Sequence, residues 1–373
     1  MIPYSCQLIE QSDIDSVVDA LKSSHLTQGP MVTRFEEDLA TYLGVSDTLV
    51  FNSATSALYA SYKAFGIDKG DEVITTPLSF CATSNMLLML KAIPVFVDIK
   101  NDGNIDPEKI EQAITKKTKA VVSVDFSGNP VDVNRISDIC KKHNLIFISD
   151  SSHALGSTID GVKVGNFADA TIFSLHAIKP ITTGEGGVLI CKDSEILRKS
   201  KLIRSHGVVK KNLWNSDMYG IGFNFRLPDI NAALGISQLK KLDRFIETRD
   251  KLAKFYDTFF EGNSEFSTIK LAKNIISARH LYPILLSQKY WCNKEEIFAE
   301  LHKRGIGVQV HYKPIYKFTP YVELFGEMRL DNMENFYKAE LSIPLHQGMS
   351  MDDAKFVANN LIEVLEASQK SCN

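Results

Sequence analysis

The chain has 373 residues, room for one large domain and a smaller second one, and its 44 % hydrophobic and 23 % charged residues suit an ordinary soluble enzyme. A net charge of −3 gives no electrostatic case for nucleic acid or an anionic membrane, although a local basic pocket for a diphosphate stays open. No apolar run nears the roughly 20 residues of a membrane span, Met1-Ile-Pro-Tyr-Ser-Cys6 lacks the pattern of a secretion signal, and six cysteines (6, 81, 140, 191, 292, 372) lack the short paired spacing of a zinc site or disulfide framework.

A reduced, cytoplasmic protein without a metal is therefore expected. In chain order, Asp13 to Leu21 and Phe35 to Tyr42 carry apolar residues at helical spacing, the second ending at Gly44. Leu26-Thr-Gln-Gly-Pro30 between them reads as a loop. A strand (48–51), a helix (54–65), a strand (72–76) stopped by Pro77, a helix (about 81–90) and a strand (95–98) follow. Asp106 then Pro107 predicts an N-cap with proline in the first helical turn. A strand (120–125), a helix to His143 and a strand (145–149) complete an alternation that predicts a mostly parallel sheet covered on both faces.

From Pro228 the texture changes. A long helical stretch bridges to a C-terminal α/β portion, with a strand from His280 to Leu286 and a helix from Lys294 to Lys303. Arg304 stands at the end of that helix and Gly305 at its C′ position. This divides the chain into residues 1–235 and 236–373.

Three stretches carry chemistry. Phe51-Asn-Ser-Ala-Thr-Ser-Ala-Leu-Tyr59 is a strand, a turn of small residues and a helix start, whose free N–H groups could cup a phosphate. Plain capping by Ser53 or Thr55 explains it as well, and no GxxxxGK[ST] loop is present. Leu145-Ile-Phe-Ile-Ser-Asp150 ends an apolar run in a carboxylate, at the strand end where parallel sheets hold ligands. A turn or N-cap aspartate is the blander alternative. His153 follows, close enough to touch the same ligand.

The third stretch is Phe173-Ser-Leu-His-Ala-Ile-Lys-Pro-Ile-Thr-Thr-Gly-Glu-Gly-Gly187, entered by the apolar strand from Ala170 and left by Val188-Leu-Ile-Cys191. Lys179 sits between Pro180 and a glycine-rich turn (Gly184, Gly186, Gly187) that implies close backbone approach. An amine desolvated there has a lowered pKa and suits a Schiff base with a carbonyl cofactor. Pyridoxal phosphate also needs a carboxylate beside its ring nitrogen, for which Asp150 is the candidate.

Asp150-Ser-Ser-His-Ala-Leu-Gly156 followed by the Lys179 segment resembles the sugar-nucleotide aminotransferases of fold type I, over nearly the whole chain. The resemblance implies a large pyridoxal-phosphate-binding domain plus a smaller C-terminal α/β domain. It implies catalysis by Lys179, a phosphate cup at Thr55 and Ser56 with the Ser174 hydroxyl, stacking by Phe80, and ring contacts from Asp150 and His153. Asn224, in Gly222-Phe-Asn-Phe-Arg-Leu227, would cross a homodimer interface to the partner's cofactor phosphate, so the monomer should be inactive.

The resemblance further implies a UDP-linked 4-keto-6-deoxy sugar aminated at C4, as in the branch serving pseudaminic acid biosynthesis, with glutamate as donor. His311, Tyr312 and Lys313 become substrate contacts, with Thr27 and Gln28 as weaker ones. Without the family, Val310-His-Tyr-Lys-Pro-Ile-Tyr316 reads equally as a surface loop. Some relatives replace the lysine by histidine and dehydrate instead; this chain keeps Lys179. Tyr4-Ser-Cys-Gln-Leu8 lacks the Arg-Pro that many relatives carry there. Arg204 and Glu185 receive no role. Competing readings are another keto sugar nucleotide, a pyridoxal-phosphate-binding regulator without turnover, and a nicotinamide dehydrogenase, which the lack of a GxGxxG after a strand opposes.

Overall fold

The structure is a computed structural model and describes residues 1–368. Helix α1 (Gln11–Lys22) starts in a capping box between Glu10 and Asp13. Helix α2 (Pro30–Leu43) begins at Pro30, which the sequence reading left in a loop; proline at the first helical position has no amide to waste. Then come β1 (Leu49–Phe51), α3 (Ala54–Ala64), β2 (Glu72–Thr75), α4 (Ala82–Met89) and β3 (Ile93–Phe96). Strand β3 starts two residues earlier than expected and includes Pro94. It is the edge of the sheet, so an absent N–H costs no ladder bond.

Helix α5 (Pro107–Ala113) is capped by Asp106, whose side chain accepts the Glu108 amide, as expected. It is followed by β4 (Thr118–Val124), α6 (Val133–His143), β5 (Ile146–Asp150), the short β6 (Thr158–Ile159) and β7 (Val162–Lys163), β8 (Ala170–Ser174), β9 (Gly187–Cys191) and α7 (Ser194–Arg204). The central sheet runs β1-β9-β8-β5-β4-β2-β3. It is parallel from β8 to β3, while β9 is antiparallel to both its neighbours. Strands β8 and β9 are joined by a loop instead of a crossover helix, so the chain must return in the opposite sense. That loop carries Lys179.

Both faces of the sheet are buried, and the strands alternate between two cores. Ile172 and Leu189 pack with Leu58, Leu87 and Leu197 of α3, α4 and α7. Phe173 and Val188 pack on the other side with Phe35 and Ile236. The register sets Gly187 opposite both Phe51 and Ser174, and Asp150 opposite Ile172. The phosphate-cup candidate, the carboxylate and the lysine loop thus share one end of the sheet.

Gly187 is there because its neighbour leaves no room. A Cβ on it would lie 2.5 Å from the Ala54 amide nitrogen and against the Ser53 carbonyl, both backbone. Gly187→Ala should therefore cost about 3 kcal/mol by overpacking and lower the melting temperature. An unchanged melting curve would contradict this close approach.

After the hairpin β10 (Val208–Lys210) and β11 (Ser216–Met218), the expected long helix is two: α8 (Asp229–Leu239) and α9 (Leu242–Phe259). At the break, Lys241 turns its ammonium onto Asp13 of α1 at 2.8 Å. The rest of the chain forms β12 (Phe266–Thr268), β13 (Ile275–Ile276, paired with β6), β14 (Tyr282–Leu286), α10 (Lys294–Lys303), α11 (Thr319–Phe325), α12 (Asp331–Ala339), β15 (Glu340–Ile343) and α13 (Met351–Ser368), with Tyr321 of α11 and Met333 and Phe336 of α12 packed against Leu78, Phe96 and Phe126. Strands β12, β14 and β15 form an antiparallel sheet whose apolar side packs under α9, α10 and α13. Gly305 takes φ +82° after α10, as the C′ position requires.

Residue 235, the expected boundary, lies inside α8. Helix α9 crosses from one core to the other: Leu242, Phe245 and Ile246 pack under the large sheet, Leu252, Ala253 and Tyr256 in the small core. Ile2 pairs with Ile306, so the first residues run beside the C-terminal portion. Among the described residues no helix is long and apolar enough to cross a membrane, and no cluster of three or more histidine, cysteine or acidic side chains is placed to hold a metal. Cys372 lies outside them.

Candidate active site

A cavity of about 690 Å³ opens at the C-terminal ends of β5 and β8, between the two cores. Its size is within the range of small-molecule sites. The loop that crosses it is held at both ends. Leu175 N–H donates to Gly186 and Thr183 N–H to Leu175, closing the loop on itself. The Ser5 hydroxyl donates to the Ile178 carbonyl at 3.0 Å, and the Asn231 amide to the Thr183 carbonyl at 2.6 Å.

Lys179 is only 9 % exposed within this loop. Burial pulls its amine down to about 7, with the nearby Asp150 carboxylate opposing and the Arg249 guanidinium assisting. The sign is that of a group disfavoured in its charged form, so the neutral, nucleophilic amine prevails above that value. In cofactor-free protein, modification of Lys179 by an amine-directed reagent should be half-maximal near pH 7. A midpoint near that of a free lysine, about 10, would contradict the desolvation. The Lys179 Nζ lies 3.3 Å from His280 Nε2, while His280 Nδ1 finds no partner among the described residues.

Asp150 ends β5 with both carboxylate oxygens engaged. Oδ2 accepts the Thr83 hydroxyl at 2.7 Å, and Oδ1 accepts the Ser152 hydroxyl at 2.6 Å and the Ser152 amide at 3.2 Å. His153 is buried, and desolvation holds its pKa well down. Its Nδ1 accepts the Ser127 amide at 3.3 Å, so Nε2 carries the proton and donates to the Tyr312 hydroxyl at 3.2 Å. The His153 and His280 rings lie 4.5 Å apart.

At the start of α3, Ser53 caps the helix by accepting the Ser56 amide, and Thr55 lines the cavity with the first-turn amides a helix leaves unpaired. The Ser56 hydroxyl turns instead onto Asn52 Oδ1 at 2.6 Å and does not line the cavity. Ser174 lines it from the end of β8. Phe80 stands at its lip, 62 % exposed. His311, Tyr312 and Lys313 form the wall opposite Lys179.

Besides Ser56, three expected residues lie outside the cavity of the single chain. Asn224 pairs with Ser205, Thr27 with Pro228, and Gln28 follows Thr27 at φ +55°. Arg204 donates to Glu36 at 2.5 Å and to the Val50 carbonyl at 2.7 Å, tying α7 to α2 and β1. Glu185 sits exposed on the rim, 3.7 Å from His176.

Thr83, Ser152 and His280 also line the cavity, although the sequence analysis assigns them no role. Ser152 was findable, since a serine two residues after an aspartate is a common turn partner. Thr83 and His280 carry no local signal, because they meet Asp150 and Lys179 only through the fold. Taken together, an amine, a carboxylate and a helix N-terminus open on one cavity, and beside them stands the unpartnered Nδ1 of a buried imidazole. In kind and number these groups fit pyridoxal phosphate.

Comparison with known proteins agrees with that fit. Residues 7–362 match the DegT/DnrJ/EryC1/StrS aminotransferase family. The chain is similar to the UDP-4-amino-4,6-dideoxy-N-acetyl-beta-L-altrosamine transaminase of Campylobacter jejuni strain 81-176, at 54 % identity over 99 % of both chains. It is also similar to the protein of that name from Helicobacter pylori, at 47 % over 98 % of each. Among solved structures, Helicobacter pylori PseC, an aminotransferase involved in the biosynthesis of pseudoaminic acid, superposes with a TM-score of 0.96 at 47 % identity over 98 % of this chain and 99 % of that one. The PLP-form of the putative sugar aminotransferase Spr1654 from Streptococcus pneumoniae gives 0.94 at 31 % over 98 % and 99 %.

Proposed function

Since the chain belongs to the DegT/DnrJ/EryC1/StrS aminotransferase family and is a pyridoxal-phosphate-dependent enzyme, we propose that it moves an amino group from glutamate to C4 of a UDP-linked 2-acetamido-2,6-dideoxy-4-keto-hexose, in pseudaminic acid biosynthesis in the cytoplasm. The observation that carries this reading is the joint opening of Lys179, Asp150 and the α3 N-terminus on one cavity, walled by His311, Tyr312 and Lys313. The names of the similar Campylobacter and Helicobacter proteins support the substrate.

Pyridoxal phosphate, when bound, supplies the electron sink for amino transfer. Lys179 would hold it and, as a free amine, would take up and return a proton at Nζ, for which an amine near neutrality is suited. Asp150, held by Thr83 and Ser152, would face the ring nitrogen and keep a proton on it. Thr55, Ser174 and the free first-turn amides of α3 would bind the phosphate, while Ser56, whose hydroxyl goes to Asn52 and whose amide goes to Ser53, would hold the shape of the cup. Phe80 and His153 would flank the ring. His311, Tyr312 and Lys313 bind the sugar nucleotide, with Lys313 toward the diphosphate.

A homodimer is part of the same reading. The hairpin beyond α7 exposes Leu213 (91 %) and Trp214 (85 %), beside the exposed Met218, Tyr219 and Ile221, an apolar patch too large to leave in water. Asn224 follows that hairpin, and Thr27 and Gln28 lie on the α1–α2 loop. All three are proposed to serve a partner's cavity.

Incubation with glutamate and a panel of UDP-4-keto-6-deoxy sugars, with products read by mass and NMR, tests the proposal. Amination at C4 of an N-acetylated member is expected. A product from a different keto sugar nucleotide corrects the substrate. Glutamate failing to change the visible absorbance of the loaded protein would favour a regulator without turnover.

A further inference from the structure

The wall opposite Lys179 is backed by a buried acid. Glu340, the first residue of β15, is fully buried. Its Oε2 accepts the His311 backbone amide at 2.7 Å, and its Oε1 lies 2.6 Å from the Ser342 hydroxyl. Ser342 Oγ in turn lies 2.9 Å from Nδ1 of His311, whose buried ring lines the cavity. Three side chains thus form one chain of hydrogen bonds ending at a cavity-facing imidazole.

A hydroxyl has a single proton, so the chain has a direction. With a bare carboxylate, Ser342 donates to Glu340. The contact with His311 is then a hydrogen bond only if Nδ1 carries the ring proton, which leaves a lone pair on Nε2. With a proton on Oε1, the acid donates to Ser342, Ser342 donates to Nδ1, and Nε2 carries the proton instead. His311 stays neutral throughout, because burial drags its pKa down to about 3 with Lys179 assisting.

We propose that Glu340, acting through Ser342, is a positioning residue that sets the tautomer of His311, presenting an Nε2 lone pair to a hydroxyl or amide N–H of the bound sugar nucleotide when Glu340 is ionised and an N–H when it is not. The ligand in this statement rests on the function proposed above; the relay does not. Burial favours the neutral acid. Opposing it are the Lys294 ammonium on α10 and the donors Ser342 and His311 N–H. Around the His311 ring stand Tyr4, with centroids 5.3 Å apart, Tyr312 at 4.8 Å, and Lys179 across the cavity. Lys179, Lys313 and the Tyr312 hydroxyl already offer donors to the cavity, so an acceptor at Nε2 is the complement a sugar hydroxyl lacks there.

Glu340→Gln is the direct test. To keep accepting the His311 amide, the new side chain must place its oxygen at the Oε2 position and its NH₂ toward Ser342. The amide therefore mimics the protonated acid and locks Nε2–H. Ring tautomers are read by ¹⁵N–¹H long-range NMR on histidine-labelled, cofactor-loaded enzyme, with His311 assigned by its loss in His311→Asn. The expected result is a wild-type His311 that passes from Nε2–H to Nδ1–H as pH rises, an E340Q signal held at Nε2–H, and a Ser342→Ala signal that no longer follows pH. Ser342→Thr, which keeps the hydroxyl, should restore the wild-type pattern. His153, held as Nε2–H by Ser127, is the internal reference.

Identical His311 tautomers in wild type and E340Q across pH 6–9 overturn the relay. On the ligand side, KM for the keto sugar nucleotide should rise about tenfold in E340Q with kcat within about threefold. An unchanged KM despite an inverted tautomer overturns the recognition role. Absence of turnover in wild type with every sugar tested would overturn the proposed function while the NMR arm still decides the relay.

Discussion

Lys179→Ala should bind pyridoxal phosphate and turn nothing over. The loop around it is held by Ser5, Asn231 and its own backbone bonds, none of which involves the lysine side chain. The carboxylate of Asp150 and the α3 N-terminus are likewise untouched, so the non-covalent contacts for the cofactor survive. What disappears is the cavity amine that burial pulls down to about 7. Loss of a covalent group that also moves the proton should cost about 10⁴-fold or more in kcat. The measurement is steady-state turnover together with cofactor released on denaturation: stoichiometric cofactor, no visible band of the lysine-bound form, and no product. Product formation at a wild-type rate would remove the proposed mechanism.

Asp150→Asn is expected to lower kcat by about 10³-fold while leaving the protein folded. The aspartate accepts three hydrogen bonds and donates none. An asparagine of the same shape can still accept from Ser152, and the Thr83 hydroxyl can rotate to accept from the new amide, since it also meets Ser79 at 2.8 Å. No large cavity or unsatisfied donor results. The negative charge that would keep a proton on the ring nitrogen is gone, however, and an amide does not replace it. A variant with wild-type kcat and an intact melting curve would show that Asp150 serves only as a turn. Thr83→Val, which removes one of three donors, should cost about tenfold, and its effect should fall on kcat instead of on stability.

Much of the site was readable because its chemistry sits at element boundaries. Asp150 is the last residue of an apolar strand, Ser53 and Thr55 open a helix, and Lys179 stands in a glycine-marked loop between two buried strands. Each of these is a local pattern, and each strand or helix formed within a few residues of the expected bounds. The errors are local in another sense. Pro30 was expected in a loop and the third strand only from residue 95, after Pro94, although a helix start and a sheet edge both accept a residue without an amide. Placing them needed to know which strand is last in the sheet.

The division follows from the reach of the forces involved. Backbone dihedral preferences, apolar periodicity and capping act over a handful of residues, so the chain by itself determined the helices, the strands, and which side chains stand at their ends. Contacts between distant residues depend on how the strands are ordered and how two cores close on one another. Only the tertiary structure decided that His280 would meet Lys179, 101 residues away, that Thr83 would hold Asp150, and that a buried glutamate would stand two hydrogen bonds behind a cavity histidine. It also decided that Thr27, Gln28 and Asn224 would lie outside the single chain's own cavity.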